Sequence, residues 1–502
     1  MLTGTMLGRN YINGQWKGVD GGASFTSVNP ADRDDVIGEF PRSSPAEVER
    51  AVAAAQSAYP RWRSTSRIAR GECFDRFALL VRERLEELTD LLAREAGKPL
   101  DEARADIVEG IHMAQYVFGS ARMTHGDVIS SEIAEKDLFM RRRPKGVVAV
   151  ITPWNFPFAV PLWLLAPSLV EGNTAVFKPS EETPLVGQRM IELFEEAGFP
   201  PGVVNLVQGV GEEVGEALVG HPDVKVVLFT GSYEVGSQIK QACAAAPDKM
   251  AVCEMGSKSA VIVCEDARLD LAINACVLSG FKTAGQRCVS AGRLLVHRSL
   301  VDRFCEEFTA AARALRIGDP RDPQTFMGPL INEAGVRKVL GYNRLAREEG
   351  ADVLLDGGLM DGGLSKGNFL SPFVYRIEHA PEIRCIREEV FGPHVAIIPF
   401  DDLDQAIEVY NDTDYGLSCA VITENYRNMR EVRERCEFGL GYVNAPCIGA
   451  EVHLPFGGVK KSGVGLPSAS ALIDSVTHRY AWTVNHGLEI KMAQGMDARV
   501  RR

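Results

Sequence analysis

Between Val147 and Ala246 the chain alternates short apolar runs with longer amphipathic stretches, and that alternation leaves few folds open. Val147 to Ile151, Ala175 to Phe177, Val203 to Val207 and Val226 to Phe229 are apolar on successive residues and short, so they read as strands buried on both faces. Thr183 to Ala197, Glu212 to Val219 and Tyr233 to Ala246 carry the helical period. Doubly buried strands joined by helices pack as an open parallel sheet with helices on its faces. A second series follows, with a strand at Ala260 to Cys264, a helix from Leu269 to about Phe281, a strand at Arg293 to Val296 and a helix from Leu300 to Leu315. The fold class is therefore α/β, and 502 residues suit two or three domains.

Local signals agree. Ser44-Pro45-Ala46-Glu47 is a capping box with proline at the first helical position, and Val48, Val52, Ala55 and Tyr59 continue it at helical spacing. Glycine and proline cluster as linkers do at Gly357 to Pro372 and Leu454 to Pro467. Acidic residues outnumber basic ones, 67 to 55, and the net charge of −12 argues against a nucleic-acid partner. The 11 cysteines are odd in number, without CxxC or Cys/His clusters, which argues against a disulfide framework or a metal site and for a reducing compartment. Residues 1–10 lack an apolar signal core, and the longest apolar run, Phe158 to Val170, is broken by Pro161 and Pro167. No membrane span is expected, and the chain is placed in the cytoplasm.

One cysteine has chemically suggestive company. Cys288 lies in Phe281-Lys282-Thr283-Ala284-Gly285-Gln286-Arg287-Cys288-Val289-Ser290, and Glu254 opens Glu254-Met255-Gly256-Ser257-Lys258. A thiolate can form a thioester, and a carboxylate that reaches the acyl carbon can activate the water that releases it. A lone cysteine is more often a small buried hydrophobe, so the pair gains weight from what surrounds it. Those surroundings are Thr152-Pro153-Trp154-Asn155-Phe156-Pro157, Lys178-Pro179-Ser180-Glu181, Phe229-Thr230-Gly231-Ser232-Tyr233-Glu234-Val235-Gly236 and Glu388-Glu389-Val390-Phe391-Gly392-Pro393. Together the six blocks resemble the signature blocks of the NAD(P)-dependent aldehyde dehydrogenase superfamily, in order and at its usual spacing, from about Tyr11 to about Trp482.

The resemblance implies a Rossmann-like NAD-binding domain from 1–131 and 147–255, an α/β catalytic domain at 256–465, and a small β oligomerisation element from 132–146 and 480–502. Ala481 to Val484 alternates as a strand does, and a homodimer or homotetramer is expected. Phe229 to Ser232 ends a strand and opens a helix, so its backbone N–H groups and the helix dipole suit a pyrophosphate. By resemblance the cofactor is held by Ile151, Thr152, Pro153, Trp154, Lys178, Ser180, Glu181, Gly211, Phe229, Thr230, Gly231, Ser232, Val235, Met255, Gly256, Glu389 and Phe391. Lys178 and Glu181 would meet the adenosine ribose, Glu389 the nicotinamide ribose and Phe391 its ring. A carboxylate near the 2′ position repels a 2′-phosphate, which leans toward NAD with NADP still possible.

For catalysis the resemblance implies Cys288 as nucleophile, Glu254 as general base, and the Asn155 amide with the Cys288 N–H as oxyanion donors. The presence of Glu254 favours hydrolysis over transfer to CoA. Thr283 to Cys288 with Gly449 to Gly458 looks like the branch holding α-ketoglutarate semialdehyde and α-aminoadipate semialdehyde dehydrogenases, so the small-molecule substrate would be an aldehyde bearing a carboxylate. Arg287 either pairs with that carboxylate or braces the loop. Phe158, Trp163 and Phe456 are expected at an apolar tunnel, and Glu109 at its mouth to select an amino group. Alternatives are a broad-specificity aliphatic or aromatic aldehyde dehydrogenase and a non-catalytic structural or redox-sensing protein. Two departures stand out: Ser257 replaces the glycine most relatives carry, and Gly465-Leu466-Pro467-Ser468 replaces an Arg-Glu pair.

Overall fold

The computed structural model describes residues 6–18 and 22–496. The remaining residues, including 497–502 of the segment expected for assembly, lie outside the described residues. The expected parallel sheet is present, with Met250–Glu254, Val224–Thr230, Val147–Ile151, Thr174–Lys178 and Val204–Leu206 adjacent and parallel in that order. Val147–Ile151 and Thr174–Lys178 are buried at every residue, as strands covered by helices on both faces must be. One edge is extended antiparallel by Asn10–Ile12 and Gln15–Lys17. The other is closed by Gly463–Val464, which pairs antiparallel with Cys253 and Glu254. The expected 256–465 unit thus returns two of its residues to the first sheet.

The second sheet runs Asp352–Leu355, Phe373–Arg376, His394–Phe400, Ala291–His297, Ser259–Val263, Ser418–Ile422 and Leu440–Val443, parallel except at its first pair. A third sheet pairs Thr477–Asn485 with Lys136–Pro144, and that strand with Gly126–Ile129, all antiparallel.

The capping box forms as expected: Glu47 Oε2 accepts from the Ser44 N–H at 2.9 Å and starts the helix Pro45–Ser64. The helix expected from Glu212 instead opens as a π turn, Gly211–Gly215, before the short α-helix Glu216–Gly220. Glycines at both ends of that turn weaken its α preference. Leu100–Ser120 packs between Arg67–Glu83 and Ala159–Val170, and the last of these is buried all round. Among the described residues no helix is long and apolar enough to cross a membrane.

Candidate active site

Because their strands are parallel, Ile151, Lys178, Thr230 and Glu254 all end at the same edge of the first sheet, where open α/β folds bind ligands. A cleft of about 1000 Å³ opens there, walled by Pro153 to Asn155, Thr230 to Ser232, Glu254 to Gly256, Cys288, Lys338 and Glu389 to Phe391. Ser232 lines the cleft and caps the helix Tyr233–Ala244, accepting from the Val235 N–H, so the start of that helix lies at the cleft. A Cβ on Gly231 would stand 2.5 Å from the Phe229 ring, and one on Gly256 2.6 Å from Glu389 Oε2, so the chain passes close to its neighbours at both. Trp154 and Phe391 meet edge to face at 5.6 Å and form an aromatic wall.

Ile151, Thr152, Lys178, Ser180, Glu181, Gly211, Phe229 and Val235 are not on that wall. Lys178 and Glu181 lie at the neighbouring strand end and pair at 2.7 Å. Burial pushes the Glu181 carboxyl up, but the charge and hydrogen bond of Lys178 outweigh it, and the group sits below its ordinary value.

Cys288 and Glu254 come together on the cleft wall. Glu254 is 2% exposed, and its Oε1 has no hydrogen-bond partner among the described residues. Burial, then the Glu389 charge, push its carboxyl well up, while contact with the Cys288 thiol pulls the other way. Burial and the carboxyls of Glu254 and Glu389 push the Cys288 thiol well up too, so the site disfavours the charged form of both groups. Asn155 reaches the same place: its amide donates one N–H to the Gln286 carbonyl at 3.0 Å and has a second to give.

The loop carrying Cys288 is held in an unusual shape. Thr283 (φ 55°), Ala284 (φ 53°) and Gly285 (φ 71°) are successive left-handed residues, which side chains seldom adopt unless the surroundings impose it. Gly285 is required, since a Cβ there would stand 2.3 Å from the Gly392 carbonyl oxygen. Glu102 accepts from the Thr283 N–H at 2.9 Å. The Gln286 amide donates to the carbonyls of Thr283 and Pro329, and its oxygen accepts from the Ile331 N–H at 3.0 Å. Ser257 ties both sides: its N–H donates to Glu389 Oε1 at 2.7 Å and its hydroxyl to the Cys288 carbonyl.

The residues expected to meet substrate divide. Trp163 and Phe456 pack at 4.7 Å and help wall a second cavity of about 1220 Å³. Phe158 corrects the expectation: it is wholly buried, stacked on Phe77 and seated where Gly110 has no side chain, so it packs the core rather than a tunnel. Arg287 also departs from a free anchor. Its Nη2 donates to Glu102 Oε2 at 2.5 Å and its Nε to Thr283 Oγ1 at 2.8 Å, which is the bracing arrangement. Glu109 does line a cavity, but burial, then Asp106, push its carboxyl up to about 8. A raised carboxyl is a weaker anchor for an ammonium than an ordinary carboxylate.

Sequence reasoning missed Lys338 and Asn332 on the cleft wall. Asn332 caps the helix Glu333–Glu348, accepting from the Gly335 N–H at 2.8 Å, and its Asn-Glu helix start was the available signal.

A parallel α/β sheet with a thiol and a buried carboxyl in the cleft at its ligand-binding edge is the architecture of a nucleotide-dependent enzyme. The chain belongs to the aldehyde dehydrogenase family, which it matches over residues 16–481. It is 38% identical over 454 residues to an alpha-ketoglutaric semialdehyde dehydrogenase of Bacillus subtilis (strain 168), covering 90% of this chain and 93% of that one. It is also 38% identical over 467 residues to 1-pyrroline-5-carboxylate dehydrogenase 2 of the same strain, covering 91% and 89%. The crystal structure of an NAD-dependent aldehyde dehydrogenase from Sinorhizobium meliloti superposes with a TM-score of 0.93 at 32% identity, covering 98% of this chain and 97% of that one.

Proposed function

We propose that this chain oxidises a carboxylate-bearing semialdehyde to the carboxylic acid with NAD, through a thioester on Cys288 that water activated by Glu254 hydrolyses. The observation that carries the reading is the contact of the Cys288 thiol with the buried Glu254 carboxyl on the cleft wall. As sulfur attacks the aldehyde carbon, the ionised fraction of Glu254 takes the thiol proton and passes it to solvent. Once the sulfur is acylated, the same carboxylate takes a proton from the water that attacks the thioester.

The oxygen of the thiohemiacetal gathers negative charge, and the free Asn155 N–H with the Cys288 N–H is suited to meet it. Losing one such donor costs about 2.7 to 4 kcal/mol. NAD, when bound, supplies the acceptor for the hydride. Lys178 and Glu181 would hold its adenosine ribose, Glu389 its nicotinamide ribose, and Trp154 and Phe391 would flank the ring. An ionised Glu181 disfavours a 2′-phosphate, while its partner Lys178 leaves room for NADP.

The substrate class draws on two relatives named for an α-ketoglutaric semialdehyde and a pyrroline carboxylate. A protonated Glu109 supports it by removing a repelling charge. The pairing of Arg287 with Glu102 favours a second reading, a broad-specificity aldehyde dehydrogenase. The third sheet exposes Val128, Ile129 and Trp482, and a second copy of this chain would cover them. The test is Cys288→Ala with NAD and either α-ketoglutaric semialdehyde or butanal. NADH formation should vanish while NAD binding persists, and surviving turnover would assign the chemistry to another residue.

A further inference from the structure

The proposed chemistry needs two loops in register, the one with Cys288 and the one with Asn155. Both are gripped by a single helix, Leu100–Ser120, through carboxylates four residues apart and so on one face. Glu102, 4% exposed, accepts from the Thr283 N–H at 2.9 Å and from Arg287 Nη2 at 2.5 Å, and also binds the Thr283 hydroxyl. It therefore clamps the left-handed turn that leads into Cys288.

Asp106, 1% exposed, grips the end of the other loop, where Ala159 opens the helix Ala159–Val170. Its Oδ1 accepts from the Ala159 N–H at 2.7 Å, and its Oδ2 from Lys98 Nζ at 2.9 Å. Lys98, also 1% exposed, gives a further hydrogen bond to the Asn155 carbonyl at 3.0 Å. The Phe156 ring sits beneath both cations, 3.7 Å from Lys98 Nζ and 5.3 Å from Arg287 Cζ. The two grips thus meet at one aromatic ring.

Ion pairs buried this deeply are poor stabilisers, since well-packed apolar residues often do as well. Their partners here are the main chains of the two catalytic loops, which points to geometry as their use. We propose that the Leu100–Ser120 helix is the gauge that sets the Asn155 amide against the Cys288 thiol, with Glu102 and Asp106 as its positioning residues. The proposal rests on the reading of Asn155 and Cys288 given above.

The test is a double-variant cycle on the full chain, reading the rate constant of the first-turnover NADH burst with NAD and butanal, per active site counted from burst amplitude. Asp106→Asn keeps an oxygen for the Ala159 N–H and removes the charge that fixes Lys98. It should slow the burst about tenfold in the parent, because small misplacements are costly. In an Asn155→Ala background it should change the burst by no more than about twofold, because the two act through one another. Equal slowing in both backgrounds would overturn the proposal. An unchanged burst in Asn155→Ala alone would sink the reading of Asn155 itself, and the proposal with it.

Should Asp106→Asn fail to fold, Glu102→Gln is read by the rate at which iodoacetamide alkylates Cys288. A shift of about tenfold at unchanged circular dichroism supports the gauge. Alkylation and burst both equal to the parent's would overturn it.

Discussion

Arg287 and Glu102 join the loop before the nucleophile to a helix of the first unit, with Nη2 donating to Oε2 at 2.5 Å. Glu102 is 4% exposed, and its carboxyl lies below its ordinary value because Arg287, Lys282 and Thr283 outweigh the burial that pushes it up. Removing the arginine leaves a buried carboxylate short of its main charge partner, whatever the substrate carries.

Arg287→Ala should therefore lower kcat/KM for succinic semialdehyde and for butanal by a similar factor. Truncating one partner of a buried hydrogen-bonded pair costs about 2 to 5 kcal/mol, so the loss should be tenfold or more. Steady-state kinetics on the two substrates settle it, and a loss confined to the acid would return Arg287 to the substrate.

Glu254→Gln should keep the first-turnover burst of NADH and lose steady-state turnover, because hydride leaves before water enters. The raised carboxyl also sets a direction with pH. Deacylation needs the ionised form, so parental turnover should climb as pH rises toward that raised value, and the variant should not follow. Rapid-mixing absorbance at the NADH band reads both, and undiminished turnover in the variant would remove Glu254 from the reaction.

At the adenosine end, Glu181→Gln removes charge at constant size and leaves Lys178 without its carboxylate. The ratio of kcat/KM for NADP to that for NAD should rise. A ratio equal to the parent's would mean that the carboxylate does not face the 2′ position.

Two buried carboxyls make stability fall as pH rises. Burial is the first cause in both, and it pushes Glu95 and Glu109 from 4.5 up to about 8. Between those values the unfolded chain has released protons that the folded chain keeps, so each added pH unit costs up to about 1.4 kcal/mol per group. Glu109→Gln should lose less stability than the parent between pH 6 and pH 8, measured by urea midpoints. Equal losses would mean that Glu109 is ionised in the folded protein.

What the sequence disclosed follows from where the information lies. Strands buried on both faces announce themselves as continuous apolar runs, and Val147–Ile151 matches its expected bounds at both ends. Cys288, Glu254 and Asn155, which the structure brings to one cleft, each sit in a distinctive short block. Glu102, Asp106 and Lys98 were not legible, since their partners lie 181, 53 and 57 residues away and nothing local marks them. Phe158 was misread for a related reason. It precedes a helix buried all round, and such a helix carries no polar face to tell tunnel from core.

The two-residue strand Gly463–Val464 fixes an order of events during synthesis. The edge of the first sheet beside Glu254 stays unpaired until the ribosome has delivered Gly463 and Val464, some two hundred residues later. Until then Met250–Glu254 offers its free hydrogen-bonding groups to any passing strand. A nascent chain stalled before residue 463 would carry the parallel sheet with that seam still open, so this stage of translation is where a chaperone would have most to protect.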